Sequence, residues 1–284
     1  MPRFRLHIEY QGTRYSGWQI QKNARTVQGE IQAAVARATG ITEFELYGAG
    51  RTDAGVHALC QVAHLDLNTS LDPEVLRLRL NDEFPSDIHV LALEPTHPRF
   101  HARHHAVARS YLYQISRRRT AFGKKMLWWV KEDLDLERMR RTASLFVGMK
   151  NCQSFSADDP EEKSTKVLID RVQLRECGDL ILIRVEGSHF LWKMVRRIVG
   201  VIAEAGKGKL SPETIDRFFR VKSDEPARLA APASGLFLER VYYEGEAKLE
   251  TLEPVINISS SGPRKWLQPK ILTQRPRRSD PKTR

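Results

Sequence analysis

Within the first ten residues Phe4, Leu6, Ile8 and Tyr10 alternate with Arg5, His7 and Glu9, the period of a strand that buries one face. A sheet begins at once, and the question is what covers it. After a polar loop through Gly12 and Gly17, Val27, Ile31, Ala34, Val35 and Ala38 recur at helical spacing between a capping Thr26 and a closing Gly40. A strand runs into the glycine-rich stretch at Gly48, and Cys60 to Leu67 leaves it. Asp72-Pro73-Glu74 opens a second helix, and strands follow near Ile88 to Leu93 and Ala106 to Arg117. In the second half a helix starts after Asp135, carries Leu136, Met139, Ala143 and Phe146, and ends at Gly148. Strands Val167 to Leu174 and Leu180 to Val185 are split by the turn pair Gly178-Asp179. A long helix from about Phe190 to Ala205, another after Ser211-Pro212-Glu213, and a strand from Leu236 to Tyr243 complete the pattern. Helices interleaved with hairpin-compatible strands predict an α+β fold in which one largely antiparallel sheet is backed by helices.

At 284 residues, 41% hydrophobic and 29% charged, the chain can bury a sizeable core in one large domain or two intimate halves. Met1 to His7 lacks the apolar run of a signal peptide, and no stretch approaches a membrane span, so the cytoplasm is the expected location. Cys60, Cys152 and Cys177 are odd in number and show no Cys-x-x-Cys spacing, which points to idle thiols. The net charge is +11, of which residues 263–284 supply +7 through eight Lys or Arg against Asp280 alone, leaving +4 on the body. That tail reads as disordered, either a weak electrostatic grip on RNA or a solubilising end. Any nucleic-acid role of the body must rest on where its arginines sit.

Gly48-Ala49-Gly50-Arg51-Thr52-Asp53-Ala54-Gly55-Val56-His57-Ala58 sets a carboxylate near a guanidinium in a loop with little side-chain bulk. One reading is a tight turn capped by Asp53 with Arg51 solvated; the other is a reactive group on display to a large polar substrate. A dinucleotide fingerprint would need glycine where Asp53 stands, and no Gly-Lys-Ser/Thr ending completes a phosphate-cradling loop. With a cation as near neighbour in place of further carboxylates, a divalent metal is disfavoured. What survives on the functional side is an aspartate kept ionised by arginine, poised as nucleophile or base.

Other residues could assist. Phe100-His101-Ala102-Arg103-His104-His105 runs toward a strand, which would point adjacent imidazoles to opposite faces, so phosphate contact by Arg103 is favoured over a metal site. Arg109, Tyr111 and Tyr113 share one strand face, either core or a stacking platform for a nucleobase. Phe190, Met194, Ile198 and Ile202 form a core stripe, and of Arg196 and Arg197 one is expected to meet a half-buried carboxylate unless both lie on a solvated face.

Together these segments resemble the TruA family of tRNA pseudouridine synthases from Tyr10 to Tyr243. The resemblance is carried by Gly50 to Ala58, Gly17-Trp18-Gln19, Phe100-His101-Ala102-Arg103, Arg109-x-Tyr111-x-Tyr113, Phe190-x-x-x-Met194-Val195-Arg196-x-Ile198-Val199-Gly200 and Ala233-x-Gly235-Leu236. It implies a pseudouridine synthase fold of two similar halves, here 1–117 with the aspartate loop and 118–250, followed by the basic tail 251–284. It also implies that Asp53 is the catalytic aspartate and nucleophile, that Tyr111 stacks on the target base, that Arg196 pairs with Asp53 and that Leu236 packs against the base. Arg51 and Arg103 are the residues suited to hold RNA. The implied reaction breaks the N1 to C1′ bond of a flipped uridine, rotates the base and joins C5 to C1′, without a cofactor. Substrates are implied to be uridines 38, 39 and 40 of the tRNA anticodon stem-loop, and the enzyme a homodimer. Action on another RNA site, or RNA binding without catalysis, are the alternatives. Two features depart from the family pattern: the acidic run Asp158, Asp159, Glu161 and Glu162, expected to point away from RNA or to move, and the length of the tail beyond Leu252.

Overall fold

The computed structural model describes residues 1–157 and 164–258, so the acidic run and residues 259–284 of the tail lie outside the described residues, while 251–258, expected as the start of that tail, instead pack on the sheet through Leu252 and Ile258. Ten strands, β1 (Arg3–Tyr10), β2 (Glu45–Gly48), β3 (His57–Asp66), β4 (Ile88–Pro95), β5 (Ala108–Ser116), β6 (Trp128–Trp129), β7 (Gly148–Asn151), β8 (Lys166–Cys177), β9 (Leu180–Gly187) and β10 (Leu236–Tyr242), form one sheet. Its order is β4-β1-β3-β10-β5-β9-β8-β7, with β2 beside β3 and β6 beside β5. Among the described residues six α-helices accompany it: α1 (Val27–Thr39), α2 (Pro73–Glu83), α3 (Leu136–Ser144), α4 (Met194–Gly206), α5 (Pro212–Arg220) and α6 (Glu225–Arg228).

Local chemistry explains the boundaries. The Thr26 side chain accepts from the Gly29 amide, Asp72 from those of Glu74 and Val75, Asp135 from that of Arg138 and Ser211 from that of Thr214, so four helices start at side-chain caps. Gly178, at φ +60°, turns β8 into β9 with Cys177 opposite Leu180. The mixed α+β architecture with a mostly antiparallel sheet is as expected. Several boundaries differ: β3 already begins at His57 and β8 runs on to Cys177, and three others have a visible local cause. α3 stops at Ser144, and Gly148 begins β7 where the end of the helix was expected. β5 starts at Ala108, because residues 101–105 form a turn in which the His101 ring Nδ1 accepts the amides of Arg103 and His104. α4 starts at Met194, since Lys193 is in the left-handed region at φ 61°, ψ 5°, and Phe190 packs edge-on against Tyr111 at 5.1 Å between centroids.

Burial divides three ways. Phe4, Leu6, Ile8 and Tyr10 pack with Val27, Ile31, Val35, Leu76 and Leu80 of α1 and α2. Tyr113, Ile181, Ile183 and Val185 pack under Met194, Ile198 and Ile202 of α4, with α3 and α5 beyond. Tyr111 touches both clusters. The opposite face carries Leu112, Leu182 and Phe237 beneath Leu252 and Ile258 of the segment after β10.

The pairings between neighbouring strands of this sheet are antiparallel except at β5–β6 and at the centre, where β10 runs parallel to β3 through only Phe237↔His57 and Leu238↔Ala58. That short seam joins the two helix-backed cores. Its register decides what meets there: the chain just before His57 is the glycine loop, the residue just before Phe237 is Leu236, and β10 in turn sets Leu236 opposite Tyr113 and Leu238 opposite Tyr111.

Candidate active site

The glycine loop is fixed from beneath, mostly through its main chain. The Ala49 amide donates to Val62 O at 2.7 Å, Gln61 Nε2 to Gly50 O at 3.0 Å, and the Trp18 amide to Thr52 O at 3.1 Å. Thr52, 6% exposed, shares a 2.8 Å hydrogen bond with the buried Tyr10 hydroxyl. With Thr52 turned inward, its neighbours Arg51 and Asp53 look outward, Arg51 into solvent and Asp53 into a partly covered cleft. Asp53 is not paired with Arg51 among the described residues. Its cation comes from across the seam: Arg196 Nη1 lies 3.7 Å from Asp53 Oδ2, each side chain 21% exposed. The expectation that either Arg196 or Arg197 meets a half-buried carboxylate holds for Arg196, while Arg197 Nη1 donates to the carbonyls of Ser154 and Ser156.

The same guanidinium is tethered at its other nitrogen. Arg196 Nε donates to Ala231 O at 2.7 Å, and the Ala231 amide donates back to Arg196 O at 2.9 Å. This pairing needs the segment 229–231 to lie directly on α4. A Cβ at Gly200 would sit 1.8 Å from Leu229 O, so only glycine fits. The next residues continue as a strut: Tyr113 Oη donates to Pro232 O at 2.8 Å, His57 Nε2 reaches Ser234 O at 3.2 Å, and Leu236 follows, 4% exposed.

Burial is the largest influence on Asp53 and pushes its pKa up from the ordinary carboxylate value; the Arg196 and then the Lys193 charges oppose it. Tyr111 lies at the junction of the two cores, its phenol pushed up to about 12 by burial, with Arg109 opposing and the Asp53 charge adding. The Lys193 ammonium stands 4.6 Å over the Trp192 ring, which is 52% exposed at the rim. The loop thus sets an ionisable carboxylate beside a guanidinium, with a buried phenol within range of its charge, a set that suits a charge-bearing step.

Of the residues singled out in the sequence, Asp53 and Arg196 approach each other, the Asp53 charge bears on Tyr111, and Leu236 stands on β10 opposite Tyr113, next to the seam. Arg51 and Arg103 are exposed, and neither makes an ion pair with a described residue; the Arg103 carbonyl accepts from Arg109 Nη2 at 3.0 Å. The His101 ring contacts those of His104, His64 and Tyr47, the His105 ring packs against Phe100, and no group of three or more potential metal ligands is assembled among the described residues. Sequence reasoning missed Lys193, Trp192, Gln61 and the Ala231–Pro232 strut. The Ala-Pro-Ala-Ser-Gly run before Leu236 was the available signal for the strut, because a proline beside small residues marks close backbone contact.

A family model described as tRNA pseudouridine synthase matches residues 7–104 and 142–244. A tRNA pseudouridine synthase A of Agrobacterium fabrum is 38% identical over 248 residues, 86% of this chain and 93% of that protein. One of Allorhizobium ampelinum is 39% identical over 86% of this chain and 95% of its own length. A tRNA pseudouridine synthase A 1 of Protochlamydia amoebophila is 36% identical over 86% and 97%.

Proposed function

From the premise that the chain belongs to the tRNA pseudouridine synthase family, we propose that it isomerises uridines 38, 39 and 40 in the anticodon stem-loop of tRNA, with Asp53 as the acting carboxylate. The observation that carries the site assignment is the approach of Arg196 to Asp53 across the central seam, 3.7 Å apart although 143 positions separate them in sequence. A guanidinium there favours the ionised carboxylate despite burial, and an ionised carboxylate is the form that attacks or accepts a proton.

In this reading a uridine leaves its stack and enters the cleft, its ring against Tyr111 and Leu236. Asp53 acts on the base or the ribose, the N1 to C1′ bond breaks, the uracil rotates, and C5 bonds to C1′. C5 then loses its proton and N1 gains one, so substrate and product are isomers and no electron, phosphate or donor group enters the balance. Arg51 and Arg103, both exposed, are assigned to RNA phosphates, and a second copy of the chain is assigned to share one tRNA; sedimentation with and without tRNA tests the pair.

Carbodiimide mapping of pseudouridine on tRNA treated with wild-type protein and with Asp53→Ala decides the reading. Modification at 38, 39 and 40 by the wild type alone is expected. Equal modification by Asp53→Ala removes the role of Asp53, and pseudouridine outside the anticodon arm replaces the substrate positions.

A further inference from the structure

Between β5 and β6 the chain reads Arg117-Arg118-Arg119-Thr120-Ala121-Phe122-Gly123-Lys124-Lys125, five cations and no carboxylate. The root of this arm is fixed. Arg117 pairs with Glu176 at 2.7 Å and Arg118 with Asp179 at 2.6 Å, both at the end of the β8–β9 hairpin. Gln114 Nε2 holds Met126 O at 2.9 Å, and His57 Nε2 holds Lys125 O at 2.8 Å. His57 is four residues from Asp53, so the arm is anchored on the strand that carries the candidate catalytic loop.

The tip is organised differently. Gly123 turns at φ +76°, the Met126 amide closes the turn on Gly123 O at 2.7 Å, and Phe122 is left 78% exposed. It is the most exposed large apolar side chain among the described residues. Nearby the Arg119 guanidinium lies 5.7 Å from the centre of the Trp129 ring, itself 39% exposed. Among the described residues no carboxylate pairs with Arg119, Lys124 or Lys125. The exposed ring surface and the three unneutralised cations bring the fold little: Phe122 is mostly open, Trp129 partly so, and the charges repel one another. Both features become favourable against a flexible polyanion whose bases have free faces, since rings stack on unpaired bases while cations replace the counterions of adjacent phosphates.

We infer that the arm 117–129 is a second docking surface for the tRNA substrate, with Phe122 and Trp129 stacking on unpaired nucleotides and Arg119, Lys124 and Lys125 on the flanking phosphates. This rests on the tRNA reading above but adds a contact outside the Asp53 cleft. It is tested on the full chain with labelled tRNA, by titrating the dissociation constant against salt. Replacing both lysines (Lys124→Ser with Lys125→Ser) is expected to flatten the slope of log K against log salt by about 1.4 to 1.8, two phosphate contacts' worth. Phe122→Ala is expected to weaken binding about tenfold with the slope unchanged, as loss of one base stack requires. The loss appears equally in KM.

Unchanged affinity and slope in both variants overturn the surface. A changed slope with wild-type affinity for Phe122→Ala overturns the stacking and with it the unpaired-nucleotide partner. A loss confined to kcat overturns docking, because the arm would then act through His57 on the loop. If tRNA binds with these losses yet no pseudouridine forms, the surface stands and the catalytic reading fails. Melting curves of each variant matched to wild type confirm that these exposed substitutions leave the fold intact.

Discussion

Replacing Arg196 by methionine removes the charge that opposes burial at Asp53 while keeping an unbranched side chain of similar reach. At the observed 3.7 Å separation the pair interacts by about 1 kcal/mol if the cleft behaves like water and by about 4.5 kcal/mol at an effective dielectric near 20. Both side chains are about one-fifth exposed, which places the true value between those limits. Each 1.36 kcal/mol moves a titration by about one pH unit. The sign follows from which form the cation favours. Arg196 stabilises the ionised carboxylate and so lowers the pH at which Asp53 would act; without it, the largest opposition to burial is gone, Lys193 remains, and the carboxyl holds its proton to higher pH. The acid limb of the pH–rate profile of Arg196→Met is therefore expected one to three units above that of the wild type, roughly the range those energies convert to. Activity is recovered in part as the pH is raised. Release of tritium from C5 of labelled uridine in tRNA measures the rate, since that proton leaves on every turnover. Arg196→Lys, which keeps a charge but lacks the Nε donor to Ala231 O, should hold its acid limb near that of the wild type. A uniform loss of rate at every pH, with the limb of Arg196→Met unmoved, refutes the electrostatic role and leaves Arg196 as an RNA contact.

Two further outcomes follow from the same geometry. Asp53 has a folded-state pKa above its unfolded value, so its favourable contribution to stability exists below the ordinary carboxylate range and is lost as pH rises through the folded value. Asp53→Asn should be inactive yet melt higher than wild type at pH 8, by roughly 2 to 4 °C for each kcal/mol recovered, with the gap closing toward pH 4; calorimetry showing no gap at pH 8 contradicts this. Tyr113→Phe deletes one buried hydroxyl and leaves the Pro232 carbonyl without that donor, at a cost of about 1 to 3 kcal/mol. Because Pro232 adjoins the carbonyl that holds Arg196 Nε, kcat should fall several-fold while the dissociation constant for tRNA stays the same; an unchanged kcat shows that the strut does not position the guanidinium.

What could be read from sequence is what neighbouring residues decide. β1, α1, α2 and α5 were recognisable because alternation, the 3.6-residue period and Thr26, Asp72 and Ser211 as caps act within a few positions. The two-pair parallel seam was not, because nothing near His57 or Phe237 specifies a partner about 180 residues away. Nor was the opposite face of β9. Arg184 and Glu186 look like the wet side of a half-buried strand, but every residue of β9 is buried. Arg184, 1% exposed, spans from Glu239 to the carbonyls of Leu249 and Thr251, and the segment after β10 supplies both the carbonyls and the cover. The candidate site divides along the same line. Asp53 stood out through its loop, but the cation near it in sequence, Arg51, is not the one near it in space.

The correct partner nevertheless left a trace that local rules make visible. The positive end of a helix dipole lies at its N-terminus, so first turns favour acids and disfavour bases. α4 has no acid in its first turn and instead carries Arg196 and Arg197 there, preceded by the N-cap Lys193 in a backbone region that non-glycine residues seldom occupy. Three cations at the wrong end of a helix need partners from elsewhere in the fold. Arg197 finds the Ser154 and Ser156 carbonyls, Arg196 finds Ala231 O and Asp53, and the Lys193 ammonium lies over Trp192 while its charge also bears on Asp53. The carboxylate is thus held at a place where a helix end and its flanking cations all favour an anion. A buried aspartate there can stay ionised and reactive, and the mispatterned first turn of α4 is the sequence signature of that requirement.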